Sequence, residues 1–169
     1  TSNAGRLFQN RETSVKACTP LGCIDLLDYY HIDVHGMNVT VIGTSNLVGL
    51  PLSILLLQRG ATVTMCNINT RDVKEHTLKS ELVITCCGVP HMVKEDWVKD
   101  EVIIIDIGIN KIVDTSRKSG FRLVGDVDFD AVKDKCSFIT PVPGGVGPMT
   151  VISLMKNIIR LTENTFVDV

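Results

Sequence analysis

The sequence predicts an α/β protein with a Rossmann-like, doubly wound, mostly parallel sheet and helices on both faces. Short apolar runs rich in β-branched residues alternate with helical patterns, which is typical of that class. The runs carry few alternating polar residues, as strands covered on both faces require. Loops rich in glycine or polar residues follow them. The predicted strands are residues 39–42, 61–66, 82–87, 102–106 and 137–140.

The composition fits one ordinary globular domain with a sizeable core, at 169 residues, 44% hydrophobic and 21% charged. A net charge of −2 gives no basic excess for nucleic acid or an anionic membrane surface. The apolar runs are shorter than the roughly 20 residues that cross a bilayer. The polar start of the chain lacks the apolar region of a signal peptide. We expect a cytoplasmic protein, with a mitochondrial form left open.

The elements are predicted in order from their end signals. Residues 1–18 form an inter-domain linker or tail, and residues 19–169 form the domain. Thr19 is the expected N-cap of the first helix, with Pro20 at its first position. A helix over residues 48–58 ends before Gly60, and a short polar helix covers residues 72–77.

The second half of the chain is predicted to contain a segment that protrudes at the surface, a last strand and a long helix. Residues 114–120 are polar and suit the turn of a hairpin, and a helix from residue 149 to about 163 closes the fold. The apolar residues of that helix recur with a period of 3.6: Val151, Leu154, Met155, Ile158, Ile159 and Leu161.

Six cysteines stand mostly inside apolar patterns and form no C-x-x-C. We interpret them as reduced thiols of a reducing compartment rather than disulfides or metal ligands. His31 and His35 stand four residues apart but lack a carboxylate or thiol partner at ligand spacing, so no metal site is expected.

The stretch from Val39 to Pro51 is predicted to be a strand, a phosphate-binding turn and a helix. Gly43 permits a sharp turn or close ligand approach, and Thr44 and Ser45 bring hydroxyls to a helix N-terminus. The usual G-x-G-x-x-G is absent. A similar turn between a strand and a helix would also occur in a doubly wound domain that binds no nucleotide.

Convergence of the loops strengthens the prediction of a nucleotide site, because ligands bind at the carboxyl ends of parallel strands. Loops 43–49, 67–71, 87–90, 106–110 and 140–148 all belong to that edge. No acidic residue follows the second strand to hold a ribose hydroxyl, whereas Arg71 stands beside hydroxyl and amide groups. Arg71 therefore favours NADP mildly over NAD, the alternative being an arginine that faces only solvent.

Four motifs, in order, resemble one known family, the methylenetetrahydrofolate dehydrogenase/methenyltetrahydrofolate cyclohydrolases. They are Gly43-x-Ser45-x-x-Val48-Gly49-x-Pro51, Asp106-x-Gly108-Ile109-Asn110, Gly125-Asp126-Val127 and the run from Thr140 through Pro141-Val142-Pro143-Gly144-Gly145 to Thr150. The last is long and specific. Asn3-Ala4-Gly5-Arg6-Leu7 and Cys18-Thr19-Pro20-x-Gly22 also resemble the link between that family's two domains.

The resemblance implies an oxidoreductase and hydrolase of one-carbon metabolism and purine biosynthesis. Hydride would pass from 5,10-methylenetetrahydrofolate to NADP or NAD, and water would open the methenyl product to 10-formyltetrahydrofolate. It also implies site residues. Cofactor contacts would come from Gly43, Thr44, Ser45, Val48, Gly49, Arg71, Cys87, Gly88, Pro90, Gly108, Ile109 and Thr150, and the folate cleft from Pro141, Pro143, Gly144 and Gly145.

This sequence departs from the family pattern in two ways. Thr44 stands where many NADP-using members have arginine, and Asn67-Ile68 stands where they have His-Ser, so the grip on the 2′-phosphate is in question. The family's catalytic Tyr-x-x-x-Lys helix lies in an N-terminal domain. Neither Tyr29 nor Tyr30 has lysine four residues on, so we expect that domain to be absent and no catalytic residue to stand in this chain.

Two hypotheses follow. The first is the cofactor half of a bifunctional folate enzyme, with folate bound jointly with the missing domain and a homodimeric parent. The second is a non-catalytic cofactor-binding or regulatory module whose phosphate grip has decayed. An amino-acid-dehydrogenase type of Rossmann domain fits the Pro-Val-Pro-Gly-Gly motif poorly. Loss of a domain also predicts uncovered apolar side chains among Ile152, Ile159 and Phe166.

Overall fold

The computed structural model describes residues 2–10 and 15–166, without the side chains of residue 2 and residues 164–166. Residues 1, 11–14 and 167–169 of the predicted linker and domain lie outside the described part. The helices are α1 (Ser2–Phe8), α2 (Cys18–Tyr29), α3 (Gly49–Gln58), α4 (Val73–Leu78), α5 (Phe129–Val132) and α6 (Val146–Phe166). The strands are β1 (Asn38–Ile42), β2 (Thr62–Cys66), β3 (Leu82–Thr85), β4 (Val102–Asp106), β5 (Asn110–Val113), β6 (Phe121–Val124) and β7 (Cys136–Ile139).

Five strands form one parallel sheet in the order β2-β1-β3-β4-β7, which confirms the predicted fold class. The order reverses at β1, which lies between β2 and β3. The carboxyl ends of β1 and β3 therefore form the switch point where doubly wound sheets bind ligands. β5 and β6 form a separate antiparallel hairpin, the excursion predicted around residues 114–120.

Each face of the sheet packs into its own apolar cluster. Successive side chains of the strands point alternately into one cluster and into the other. Val41 and Ile84 pack under α2 and α3 on one face. Ile42, Val83 and Ile104 pack on the other, against the segments around Val98 and Val132. The continuous apolar pattern of β1, β3 and β4 follows from this double burial.

The N-terminal region differs from the prediction. Residues 2–8 form α1, whose Leu7 is buried against α3 and accepts a hydrogen bond from Gln58 Nε2 at 2.6 Å. Helix α2 begins at Cys18 with Ala17 as N-cap, so the expected capping by Thr19 is wrong. The Thr19 hydroxyl instead lies 3.2 Å from the Thr150 hydroxyl of α6. Packing against α3 and α6 has overridden the local signals.

Helix α6 begins at Val146, earlier than predicted, and its apolar stripe faces away from the domain. Its first residue, Val146, is buried in the core, but its other buried residues are polar: Ser153 is fully buried, and Asn157 Nδ2 donates to the Lys16 carbonyl at 2.8 Å. The predicted exposure of Ile152 and Ile159 is confirmed, at 46% and 58%, whereas the Phe166 side chain lies outside the described part. We call the exposed set the α6 stripe: Val151, Ile152, Leu154, Met155, Ile158, Ile159 and Leu161.

Among the described residues, no helix is both long and apolar enough to cross a bilayer. The same part of the chain contains no group of three or more side chains suited to a metal ion.

The carboxylate of Asp106, at the end of β4, joins three segments of the sheet edge. Its Oδ1 accepts hydrogen bonds from the Thr85 hydroxyl (2.9 Å) and from the N–H groups of Gly108 (2.9 Å) and Asp126 (3.1 Å). Its Oδ2 accepts from the Val127 N–H at 2.9 Å. Burial raises the pKa of this carboxyl, and the donors oppose that shift only in part.

We expect Asp106→Asn to lower the free energy of unfolding by about 2–4 kcal/mol. In either orientation, the new amide NH₂ faces backbone N–H groups that can only donate. Urea denaturation of the folded chain measures the loss. The matched control is Asp130→Asn, which changes a carboxylate that is 89% exposed and pairs with Lys133 at the surface. An Asp106 variant as stable as that control would contradict the role of the carboxylate.

Candidate functional site

The turn between β1 and α3 requires glycine at both of its ends. Gly43 has φ +114°, and a Cβ there would lie 2.5 Å from the Cys86 carbonyl oxygen of the neighbouring strand end. A Cβ at Gly49 would overlap the Gly43 carbonyl oxygen. The start of α3 is therefore pressed directly onto the end of β1, at the switch point of the sheet.

This turn leaves several backbone donors for a ligand. Within the described part of the chain, the N–H groups of residues 44–47 donate no hydrogen bond. The Ser45 hydroxyl caps the turn by accepting from the Val48 N–H at 3.2 Å. Thr44 is half-buried beside it. Consecutive free N–H groups before a ten-residue helix suit an anion such as a phosphate.

The loop after β2 is a compact turn closed by its own side chains. The Thr70 hydroxyl accepts from the Asn67 N–H (2.9 Å), and Asn67 Oδ1 accepts from the Asn69 N–H (2.8 Å). Ile68 is 99% exposed at its tip. Arg71 is exposed and makes no ion pair with any described residue. Its guanidinium is the cation that this loop offers to a ligand.

The loop after β3 is held by a buried carboxylate. Asp126 Oδ2 accepts from the N–H groups of Cys87 (2.8 Å) and Gly88 (3.1 Å). Gly88 has φ +72°, and Pro90 is exposed beyond it. The Gly88-to-Pro90 turn thus projects from the same sheet edge as the turn at Gly43.

The thiols at this edge are protonated near neutral pH. Burial, with a smaller contribution from the Asp126 carboxylate, raises the pKa of Cys86 to about 11 and that of Cys87 to about 12. All six cysteines are free thiols, as the sequence predicted. Because the thiolate is the nucleophile, Cys86 and Cys87 shape the site rather than perform covalent chemistry.

A cleft of about 360 Å³ opens beside these turns. One wall is the loop after β4, and the other is the loop between β7 and α6. Eight predicted site residues line it: Val48, Gly108, Ile109, Pro141, Pro143, Gly144, Gly145 and Thr150. The remaining predicted residues lie outside this cleft, on the turns along the same edge or, for Arg71, just before α4: Gly43, Thr44, Ser45, Gly49, Arg71, Cys87, Gly88 and Pro90.

Sequence reasoning gave no role to the two carboxylates that shape this edge. In the sequence, Asp106 and Asp126 stand out only as members of two family motifs. Each is matched by a glycine of the other's segment, because a Cβ at Gly125 would overlap Asp106 Oδ2 and a Cβ at Gly108 would overlap Asp126 Oδ1. The sequence signal for these carboxylates is the occurrence of both Asp-x-Gly and Gly-Asp. It identifies the pair only when the two segments are known to be in contact.

A parallel sheet with this strand order, an anion-binding turn at its switch point and an adjoining cleft together define a dinucleotide-binding domain of the Rossmann type. Residues 17–166 match the family described as the tetrahydrofolate dehydrogenase/cyclohydrolase NAD(P)-binding domain. The chain belongs to this family.

Relatives of known name agree with this assignment. The chain is 52% identical to the bifunctional protein FolD of Nitratiruptor over 161 residues, covering 95% of this chain and 54% of that protein. It is 50% identical over 151 residues to the mitochondrial C-1-tetrahydrofolate synthase of Saccharomyces cerevisiae, covering 89% of this chain and 16% of that protein.

A solved structure has the same fold. It is the Trypanosoma brucei methylenetetrahydrofolate dehydrogenase-cyclohydrolase, in complex with NADP and an inhibitor. It superposes with a TM-score of 0.92 at 35% identity over 98% of this chain and 57% of that one. The chain thus spans about half the length of the FolD protein and of this crystallised enzyme.

The raised pKa of Cys86 predicts a loss of stability at alkaline pH. Its thiol binds its proton more tightly in the folded state, so its contribution is complete below about pH 9 and declines as the pH rises toward 11. We expect Cys86→Ala to reduce the fall in unfolding free energy between pH 8.5 and 10.5 by about 1–2 kcal/mol. Urea titrations at a series of pH values measure this, and identical slopes for the two proteins would contradict it.

Proposed function

We propose that this chain is the nicotinamide-cofactor half of a bifunctional enzyme that oxidises 5,10-methylenetetrahydrofolate and hydrolyses the methenyl product to 10-formyltetrahydrofolate. The observation that carries the proposal is the cleft in which the 106–109 loop faces the 141–148 loop beside the anion-binding turn. An anion-binding turn beside a mostly apolar cleft gives a cofactor and a second substrate a place to meet.

The residues present fit a dinucleotide. The free N–H groups of residues 44–47 and the Ser45 hydroxyl would hold its phosphates, with Gly49 keeping the turn close. Cys87, Gly88 and Pro90 would flank its middle. Gly108, Ile109 and Thr150 would lie at the nicotinamide end of the cleft. When bound, the nicotinamide ring supplies the acceptor for a hydride.

The opposite wall of the cleft would receive the folate. Pro141, Pro143, Gly144 and Gly145 present a mostly apolar surface with little side-chain bulk, which suits a flat heterocycle. No catalytic residue is assigned to this chain. Proton transfer and activation of the folate would come from the other half of the parent, so we expect the isolated chain not to oxidise methylenetetrahydrofolate.

The preference between NADP and NAD depends on the loop after β2. Arg71 is exposed and without an ion pair among described residues, which favours a 2′-phosphate. Thr44, Asn67 and Ile68 bring no charge to the same region. NADP therefore remains the mild preference, with NAD as the alternative.

The same uncharged residues support a second candidate, a non-catalytic regulatory module that has lost its phosphate grip. Ile68 at the loop tip is the observation in its favour, since an exposed apolar residue contributes no hydrogen bond to a ribose phosphate.

The exposed α6 stripe supports the proposal that another part of the parent protein packs against this helix. Its seven apolar side chains are each 46–58% exposed, and contiguous exposed apolar patches mark interaction surfaces. The FolD relative is about twice as long as this chain, and we propose that the other half of such a parent covers this stripe. We also propose a homodimeric parent located in the cytoplasm, with a mitochondrial form as the alternative.

Calorimetric titration of this chain tests the cofactor assignment. We expect dissociation constants in the micromolar range, on the order of 1–100 μM, for NADP⁺ or NAD⁺. Gly49→Val should abolish binding because its side chain would force α3 away from Gly43. Arg71→Ala should weaken NADP⁺ about tenfold and leave NAD⁺ within twofold, as expected for one lost charge-assisted contact. Absence of binding to both cofactors would favour the decayed module instead.

The α6 stripe predicts self-association of the isolated chain at high concentration. We expect Met155→Gln with Ile159→Glu to shift the chain toward the monomer in light scattering, by about tenfold in the association constant. The matched control is Val113→Glu, which adds a charge at an exposed apolar residue of the β5–β6 hairpin rather than of α6. A strictly monomeric unaltered chain would contradict the expectation.

A further inference from the structure

The carboxylate of Asp126 is fully buried directly behind one wall of the cleft. Its Oδ1 accepts a hydrogen bond from Asn110 Nδ2 at 2.8 Å. Its Oδ2 accepts from the N–H groups of Cys87 and Gly88, and the Cys87 thiol lies 3.3 Å away. The four groups that contact its oxygens are all hydrogen-bond donors.

No described lysine, arginine or histidine forms an ion pair with Asp126. The described groups that contact this carboxylate are neutral dipoles, and they leave a net negative charge in a buried site of low dielectric constant. A charge in that setting acts over several ångströms more strongly than it would in water.

Gly108 is the part of the cleft wall that separates this charge from the ligand. A Cβ at Gly108 would overlap Asp126 Oδ1, so the carboxylate lies against the Cα of a residue that lines the cleft. The side-chain space at this position is occupied by the carboxylate itself. The negative charge of this carboxylate therefore interacts electrostatically with a ring bound against Gly108 and Ile109.

A nicotinamide ring differs in charge between its two states, since the oxidised ring carries one positive charge and the reduced ring carries none. We propose that Asp126 determines the oxidation-state preference of this site, favouring the oxidised cofactor and weakening the hold on the reduced one. This inference rests on the proposed function, because it requires the nicotinamide ring to lie at Gly108 and Ile109. It makes Asp126 a specificity-determining residue that acts through charge rather than contact.

The chain offers a substitution that removes the charge and keeps the hydrogen bonds. In Asp126→Asn, the retained oxygen can still accept from the Cys87 and Gly88 N–H groups. The new NH₂ can donate to Asn110 once the Asn110 amide turns over. The double variant Asn110→Asp with Asp126→Asn keeps the same hydrogen bonds and restores one negative charge within the pair.

The test is calorimetric titration of the unaltered chain and the variants with oxidised and reduced NADP, and likewise with both forms of NAD. In Asp126→Asn, we expect the dissociation constant of the oxidised form to rise relative to that of the reduced form by about threefold to tenfold. The double variant should return the ratio to within about twofold of the unaltered chain. The control Asp130→Asn, an exposed carboxylate, should leave the ratio unchanged.

Two results would overturn the proposal while the proposed function stands. One is an equal weakening of both forms in Asp126→Asn, which would mean that the carboxylate only holds the loops together. The other needs no variant: an unaltered chain that binds the reduced form more than tenfold tighter than the oxidised form. Failure of the unaltered chain to bind any form would remove the proposed function and this inference together.

Discussion

Two buried carboxylates hold the functional edge of this domain in place. The ends of parallel strands leave their following loops without ladder partners, and each loop here contains backbone N–H groups that must be satisfied away from water. The Asp106 carboxylate accepts from N–H groups of its own loop and of the segment from Gly125 to Val127. The Asp126 carboxylate accepts from N–H groups of the loop after β3. Because Asp126 is itself held by Asp106, the three loops are positioned as one unit.

Helix α6 exposes an apolar surface that packing within the described domain does not cover. Helix α6 turns its small and polar residues toward α2, where Gly22 lets the helices approach so closely that a Cβ would lie 3.0 Å from Met149 Cβ. Its larger apolar residues consequently face outward. Inside this contact, Asn157 Nδ2 donates to the Lys16 carbonyl and the Thr19 and Thr150 hydroxyls form a hydrogen bond, whereas the buried Ser153 hydroxyl has no partner among the described residues. The exposed face that results is the α6 stripe, and the FolD relative is about twice as long as this chain.

The sequence predicted the sheet well because its signals are local. Runs such as residues 102–106 are apolar throughout, and burial on both faces is their only common explanation. The phosphate turn was likewise visible in Gly43 and Ser45. The sequence did not predict α1, since the burial of Leu7 depends on α3 fifty residues away, nor the start of α2, where tertiary packing outweighed Thr19 as a cap. Asp126 could not be found because its partners come from two other segments of the chain.

The central claim is that separate loops along one sheet edge bind a single dinucleotide. The most direct measurement is a titration of the ¹⁵N-labelled chain with NADP⁺, observed in amide NMR spectra. The account predicts that the amides of Thr44 and Ser45, of Cys87 and Gly88, and of Gly108 and Ile109 shift together with one dissociation constant. Shifts confined to another surface, or different constants for the separate loops, would contradict it.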